Sequence, residues 1–154
     1  LCGAYRKALP FYEKLGKVFA GNPYFLYNYA AVLLEDKQYA KSLEISLQCR
    51  RYWADYDLEL IIGEIYQQLQ DRGKAEAYYN HAALMCPSRF LPLYKLFFLY
   101  KENAEEELMY DMAELIVNKP MKVRTPSILM MKKEMKRELI CIERGELECM
   151  YFIA

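Results

Sequence analysis

Apolar residues recur three and four positions apart along this chain, in runs of about a dozen residues, as helix periodicity requires. Short polar or proline-containing breaks separate the runs. Tyr5, Ala8, Leu9, Tyr12, Leu15 and Phe19 form the first apolar stripe, which predicts a helix over 4–19 that tolerates Pro10. Gly21-Asn22-Pro23 breaks it, and Pro23 suits the first turn of a helix reaching about residue 35. A turn at 36–38 and a partner helix over 39–51 follow. Residues 50–55, which include the sole tryptophan, Trp53, bridge to the next pair. Two helices then fill 56–89 around a polar break at Gln70–Gly73, with Asp57 expected to cap the first and Asp71 the second. Pro92 falls in the first turn of the next helix, and its partner spans 104–117, closed by Asn118-Lys119-Pro120. Thr125-Pro126 reads as the cap and first position of a last helix running to about residue 143. That helix is expected to bury Ile128, Leu129, Met131, Met135 and Leu139 and to leave Lys132, Lys133, Lys136 and Arg137 more exposed. Beyond Gly145, residues 146–154 are apolar without helical period. Folding back, pairing with a second copy and fraying all stay open for them.

The most regular stretch is 56–89, YDLELIIGEIYQQLQDRGKAEAYYNHAALMCPSR. Small Gly63, Ala75 and Ala82 let two helices approach closely, Tyr66 and Tyr79 fill the gaps between them, and Pro87 stops the unit. This pattern resembles the tetratricopeptide (TPR) repeat. A shift back by 33 residues sets Ala30 on Gly63, Leu33 on Tyr66, Ser42 on Ala75, Ser46 on Tyr79 and Cys49 on Ala82. A shift forward by 34 sets Phe97, Tyr100, Met109 and Ala113 on Gly63, Tyr66, Ala75 and Tyr79, in a looser copy. The resemblance implies an all-α fold, a right-handed superhelical array of antiparallel helix pairs with a C-terminal capping helix. It would be one TPR-like domain over 1–154: a half repeat at 1–21, repeats at 22–55, 56–89 and 90–120, and a capping helix and tail at 121–154. Because the chain opens at Leu1 in mid-repeat, a piece of a larger protein is expected.

Lys plus Arg and Asp plus Glu number 21 each, so no global field advertises a nucleic acid. Charge is mildly segregated: residues 52–118 carry 5 basic and 12 acidic side chains, whereas 119–154 carry 8 and 5. The run ENAEEE at 102–107 reads as a solvated turn. Five cysteines form no Cys-x-x-Cys pair, and one histidine leaves a zinc site poorly supplied, so no metal or cofactor is expected. Cys49 stands at a small-residue core position. His81 reads as a surface histidine on a repeat helix, and carboxylate pairs such as Glu59 with Glu64 as the ordinary yield of Glu-rich helices. No phosphate loop or metalloprotease motif occurs, and no catalytic residue is assigned. No apolar run approaches the length of a membrane helix.

In the TPR family the first helices of successive repeats line a concave groove. By position, that resemblance implies binding through Tyr24, Tyr27, Leu34, Leu60, Glu64, Gln67, Tyr94, Phe98 and Lys101, with a protein or peptide segment as partner and no nucleic acid. Exposed Tyr24, Tyr27, Tyr94 and Phe98 would call for a partner segment; burial against the adjacent repeat is the alternative for each. The peptide-carboxylate clamp of chaperone-type TPR domains is not expected, because Tyr27, Ala31, Leu60 and Glu64 hold its places.

The last third carries a closer resemblance. Pro87-Ser88-Arg89-Phe90, Pro92-Leu93-Tyr94, Lys119-Pro120-Met121-Lys122-Val123 and Thr125-Pro126 resemble the C-terminal TPR tail of bacterial O-antigen ligase/polymerase-type membrane proteins. This implies a parent in the inner membrane, with the present piece non-catalytic and periplasmic. The alternative is a free-standing TPR adaptor, cytoplasmic, that binds a peptide.

Overall fold

The computed structural model describes residues 2–145, with side chains from residue 7 onward. The described residues form eight helices and no strand: α1 (Cys2–Leu15), α2 (Pro23–Glu35), α3 (Tyr39–Arg50), α4 (Tyr56–Gln68), α5 (Arg72–Met85), α6 (Leu91–Glu102), α7 (Glu106–Asn118) and α8 (Pro126–Glu143). The all-α class expected from the periodicity is therefore correct. The apolar tail at 146–154 lies outside the described residues. Two compact units divide the chain, Leu1–Met85 and Cys86–Ala154.

In the first unit, α2 with α3 and α4 with α5 are helical hairpins, and α1 packs on α2. The side-chain pairs run in opposite directions along each hairpin. Ser42 Oγ donates to the Ala30 carbonyl at 2.7 Å, and Cys49 Sγ to the Pro23 carbonyl at 3.3 Å. In the second hairpin Gly63 lies against Tyr79, and the Tyr66 and Tyr78 rings stack at 5.5 Å. Gly63, Ala75, Tyr79 and Ala82 are all fully buried, as the repeat pattern requires. Where Gly63 and Tyr79 stand in this hairpin, α2 and α3 carry Ala30 and Ser46, two small residues. Tyr12 of α1 packs on α2, its ring 5.4 Å from that of Tyr29 and 5.3 Å from that of Phe25.

The second unit comprises the hairpin of α6 and α7, with α8 packed on α7. Here the sizes are exchanged: Phe97 occupies the glycine position and Ala113 the tyrosine position, both fully buried. Phe90, also buried, is flanked by Lys119 and Lys132, each with Nζ 5.5 Å from its ring centroid. Lys132 Nζ donates to the Val117 carbonyl at 2.8 Å and also to that of Lys119, satisfying acceptors left open where α7 ends. It is a working part of the helix junction rather than one of the more exposed lysines expected on α8.

One turn is built three times. After α2, α4 and α6 the backbone takes positive φ at Lys37 (62°), Gln70 (60°) and Ala104 (55°). Each time the residue in that conformation donates its N–H three residues back, and the next residue donates five back: Lys37 to Leu34 and Gln38 to Leu33, Gln70 to Gln67 and Asp71 to Tyr66, Ala104 to Lys101 and Glu105 to Tyr100. This is the helix-ending arrangement that glycine usually serves, and here no glycine serves it. Gly73, read as part of the break, lies inside α5.

Several sequence expectations need correction. The first helix stops at Leu15 rather than 19, and α7 starts at Glu106 because Ala104 is in the turn. Asp55, not Asp57, caps α4: its Oδ1 accepts from the Asp57 N–H at 3.1 Å, because the extended backbone at Asp55 aims its side chain at the open end. On α8, Leu129 is 49% exposed, whereas Glu138 is buried. Asp71 and Thr125 cap as expected, accepting from the N–H groups of Lys74 and Ile128.

Candidate functional site

The positions expected to line a groove fall in both units, and each unit is described by itself. In the first, Tyr24 is 70% exposed, while Tyr27 and Leu34 are half-buried. Trp53, from the bridge before α4, gathers the two tyrosines, its ring centroid lying 5.4 Å from that of Tyr24 and 6.1 Å from that of Tyr27. Burial, with the nearby carboxylates of Asp57 and Asp55, pushes the Tyr27 hydroxyl pKa up. Leu60 is buried, Gln67 accepts from the Tyr79 hydroxyl at 2.8 Å, and Glu64 is half-buried. Of these three, Leu60 belongs to the core and Gln67 answers a side chain of its own hairpin.

In the second unit, Tyr94, Phe98 and Lys101 come together. Tyr94 and Phe98 meet edge to face, with centroids 4.9 Å apart. Phe98 and Lys101 then form one wall of a cleft of about 450 Å³, whose other wall is α8: Met130, Lys133, Glu134, Arg137 and Glu138. Two carboxylates in the cleft are already engaged. Glu134 accepts from the Tyr94 hydroxyl at 2.7 Å, and Glu138, 2% exposed, takes Lys101 Nζ at 2.9 and 3.2 Å. These contacts pair earlier residues of α6 with earlier residues of α8, so the two helices run the same way. Burial and then the Glu134 hydrogen bond drive the Tyr94 hydroxyl pKa well above the usual tyrosine range.

Sequence reasoning treated this face of α8 as ordinary solvated lysine and glutamate. A readable cue existed. Carrying the start of α6 at Leu91 to the start of α8 at Pro126 moves the register by 35 residues and sets Phe98 on Lys133 and Glu102 on Arg137. α8 thus carries Lys133 and Arg137 at the positions that correspond to Phe98 and Glu102 of α6.

A second polar feature went unread. Glu59 is fully buried on α4, yet it accepts from Arg50 Nε at 2.5 Å and Nη2 at 3.4 Å and meets His81 Nδ1 at 2.8 Å. Arg50 also lies 5.5 Å over the Tyr78 ring, and its bond to Glu59 raises its pKa. Three helices are tied by one carboxylate. His81, expected to be a plain surface residue, is 47% exposed but bonded. The carboxylate of Glu59 is shared by Arg50 and His81, so the cluster ties α3, α4 and α5 together.

Among the described residues no group of three or more His, Cys, Asp or Glu side chains is placed to hold a metal. No described helix is long and apolar enough to cross a membrane. The fold and site thus define an all-α protein of consecutive helical hairpins with an aromatic, charged cleft. No protein-family model and no curated protein matches the chain.

Proposed function

We propose that this chain is a non-catalytic, TPR-like protein-interaction domain that holds a segment of a partner protein in the cleft between α6 and α8. One observation carries the reading: Phe98 and Lys101, named by repeat position alone, line a recess with exposed Met130, and Tyr94, named the same way, packs on Phe98 behind it. An aromatic and apolar lining bordered by charged side chains is what a peptide-holding surface needs. A photocrosslinking residue at Met130 of the full chain, in cells that normally make it, tests this. A specific adduct that disappears with Phe98→Ala supports the proposal. Adducts no different from those formed at Tyr52, exposed in the other unit, sink it.

The resemblance of the last third to O-antigen ligase/polymerase-type proteins supports a further placement of this domain, as the periplasmic tail of a membrane-embedded glycan-assembly protein. The gene upstream of the Leu1 codon decides this. A series of membrane spans supports the envelope placement, and further repeats without spans support a free-standing adaptor.

A further inference from the structure

We infer that the occupant of the α6/α8 cleft is an acidic peptide segment that sets a large apolar or aromatic side chain beside one or two carboxylates. The inference rests on the interaction reading above and adds the chemistry of the partner. The cleft is lined by three cations, Lys101, Lys133 and Arg137, and by two carboxylates, Glu134 and Glu138. Glu138 is ion-paired with Lys101 within the unit, and Glu134 accepts a hydrogen bond from the Tyr94 hydroxyl. Among the described residues Lys133 and Arg137 have no ion-pair partner, and both are exposed. Set four residues apart on one helix, they lie one turn apart on the same face. Phe98 and Met130 line the same recess, so an apolar side chain settling there leaves an adjacent carboxylate within reach of Lys133 or Arg137. An arginine offers a carboxylate two parallel N–H donors, which adds geometry to the attraction. A basic segment would instead meet the two unpaired cations, with Glu138 already paired to Lys101.

The test is selection from a phage-displayed library of random twelve-residue peptides on the full chain. Selected peptides are then synthesised and their binding measured by fluorescence anisotropy at low and high salt. Enrichment of peptides with Asp or Glu next to Phe, Trp, Leu or Met is the expected result. Lys133→Glu with Arg137→Glu should weaken their binding about tenfold or more, with a marked loss in salt, since both substituted residues are rim charges. Phe98→Ala should weaken it as well, with unchanged circular dichroism as the control on folding. Peptides free of acidic residues whose binding depends on Phe98 overturn this inference while leaving the interaction reading intact. No enrichment, or binding indifferent to Phe98, overturns both. Binding of the same chain to anionic phospholipid vesicles but to no peptide assigns the cations to a membrane surface and also overturns the inference.

Discussion

Gly63 and Tyr79 fill one space: a Cβ built on Gly63 would stand 2.6 Å from Tyr79 Cε1 and 2.7 Å from Cδ1. The ring cannot swing away, since Tyr79 is fully buried and its hydroxyl is bonded to Gln67. Gly63→Ala gains roughly 1 kcal/mol of helix propensity yet forces α4 and α5 apart. Overpacking of this kind costs about 1–3 kcal/mol, and the clash with a fixed ring puts it at the upper end. The urea midpoint should therefore fall, and a midpoint that stays or rises would show that the hairpin opens freely.

Arg50 and Glu59 make the next case. Removing Arg50 leaves a fully buried carboxylate with only His81, and such one-sided losses cost about 3 kcal/mol or more. Replacing both, Arg50→Met with Glu59→Leu, removes the charge that needed solvation and should restore most of the loss. Thermal melts of the single and double variants provide the comparison. A double variant as weak as Arg50→Met alone would refute the account.

Tyr94 gives the second unit an alkaline limit. Its folded pKa is raised, so the folded state holds the phenolic proton more tightly than the unfolded chain does. The stability this contributes is fully present below the ordinary tyrosine pKa of about 10 and is lost as pH rises through the folded value. Tyr94→Phe should flatten the decline of stability above that pH. Urea melts at a series of alkaline pH values provide the readout, and equal slopes for the two proteins would contradict it.

The three positive-φ turns carry a stored cost. Left-handed backbone costs a non-glycine residue roughly 1–2 kcal/mol, part of which glycine's unfolded-state entropy takes back. Gln70→Gly and Ala104→Gly should each raise stability by about 0.5–1 kcal/mol by chemical denaturation. Both residues are exposed, so little packing is lost. Destabilisation by either change would show that the side chain supports the turn.

Cys49 is a packing thiol. It is fully buried, donates to the Pro23 carbonyl, and burial pushes its pKa up. Cys86 and Cys141 are only half-buried. A disulfide-exchange reagent should label those two first and reach Cys49 only as the protein unfolds. Mass spectrometry of partly labelled protein would reveal the order.

Helix number and helix order were written in the spacing of small, aromatic and proline residues, because helix periodicity and close approach are local demands on sequence. Gly63, Tyr79 and Ala82 showed where two helices touch before any coordinates. Thr125 and Pro126 likewise showed where the last helix begins. Beyond the caps at Asp71 and Thr125, tertiary structure decided what the charged and polar side chains do. Glu59 and Glu64 are alike in sequence, yet one is sealed beneath Arg50 and His81 while the other is half-exposed. Gln67 and Phe98 were both groove candidates, yet Gln67 answers Tyr79 across its hairpin and Phe98 faces the cleft. Burial, ion pairing and the walls of a recess depend on residues distant in the chain, whose mutual placement periodicity does not encode.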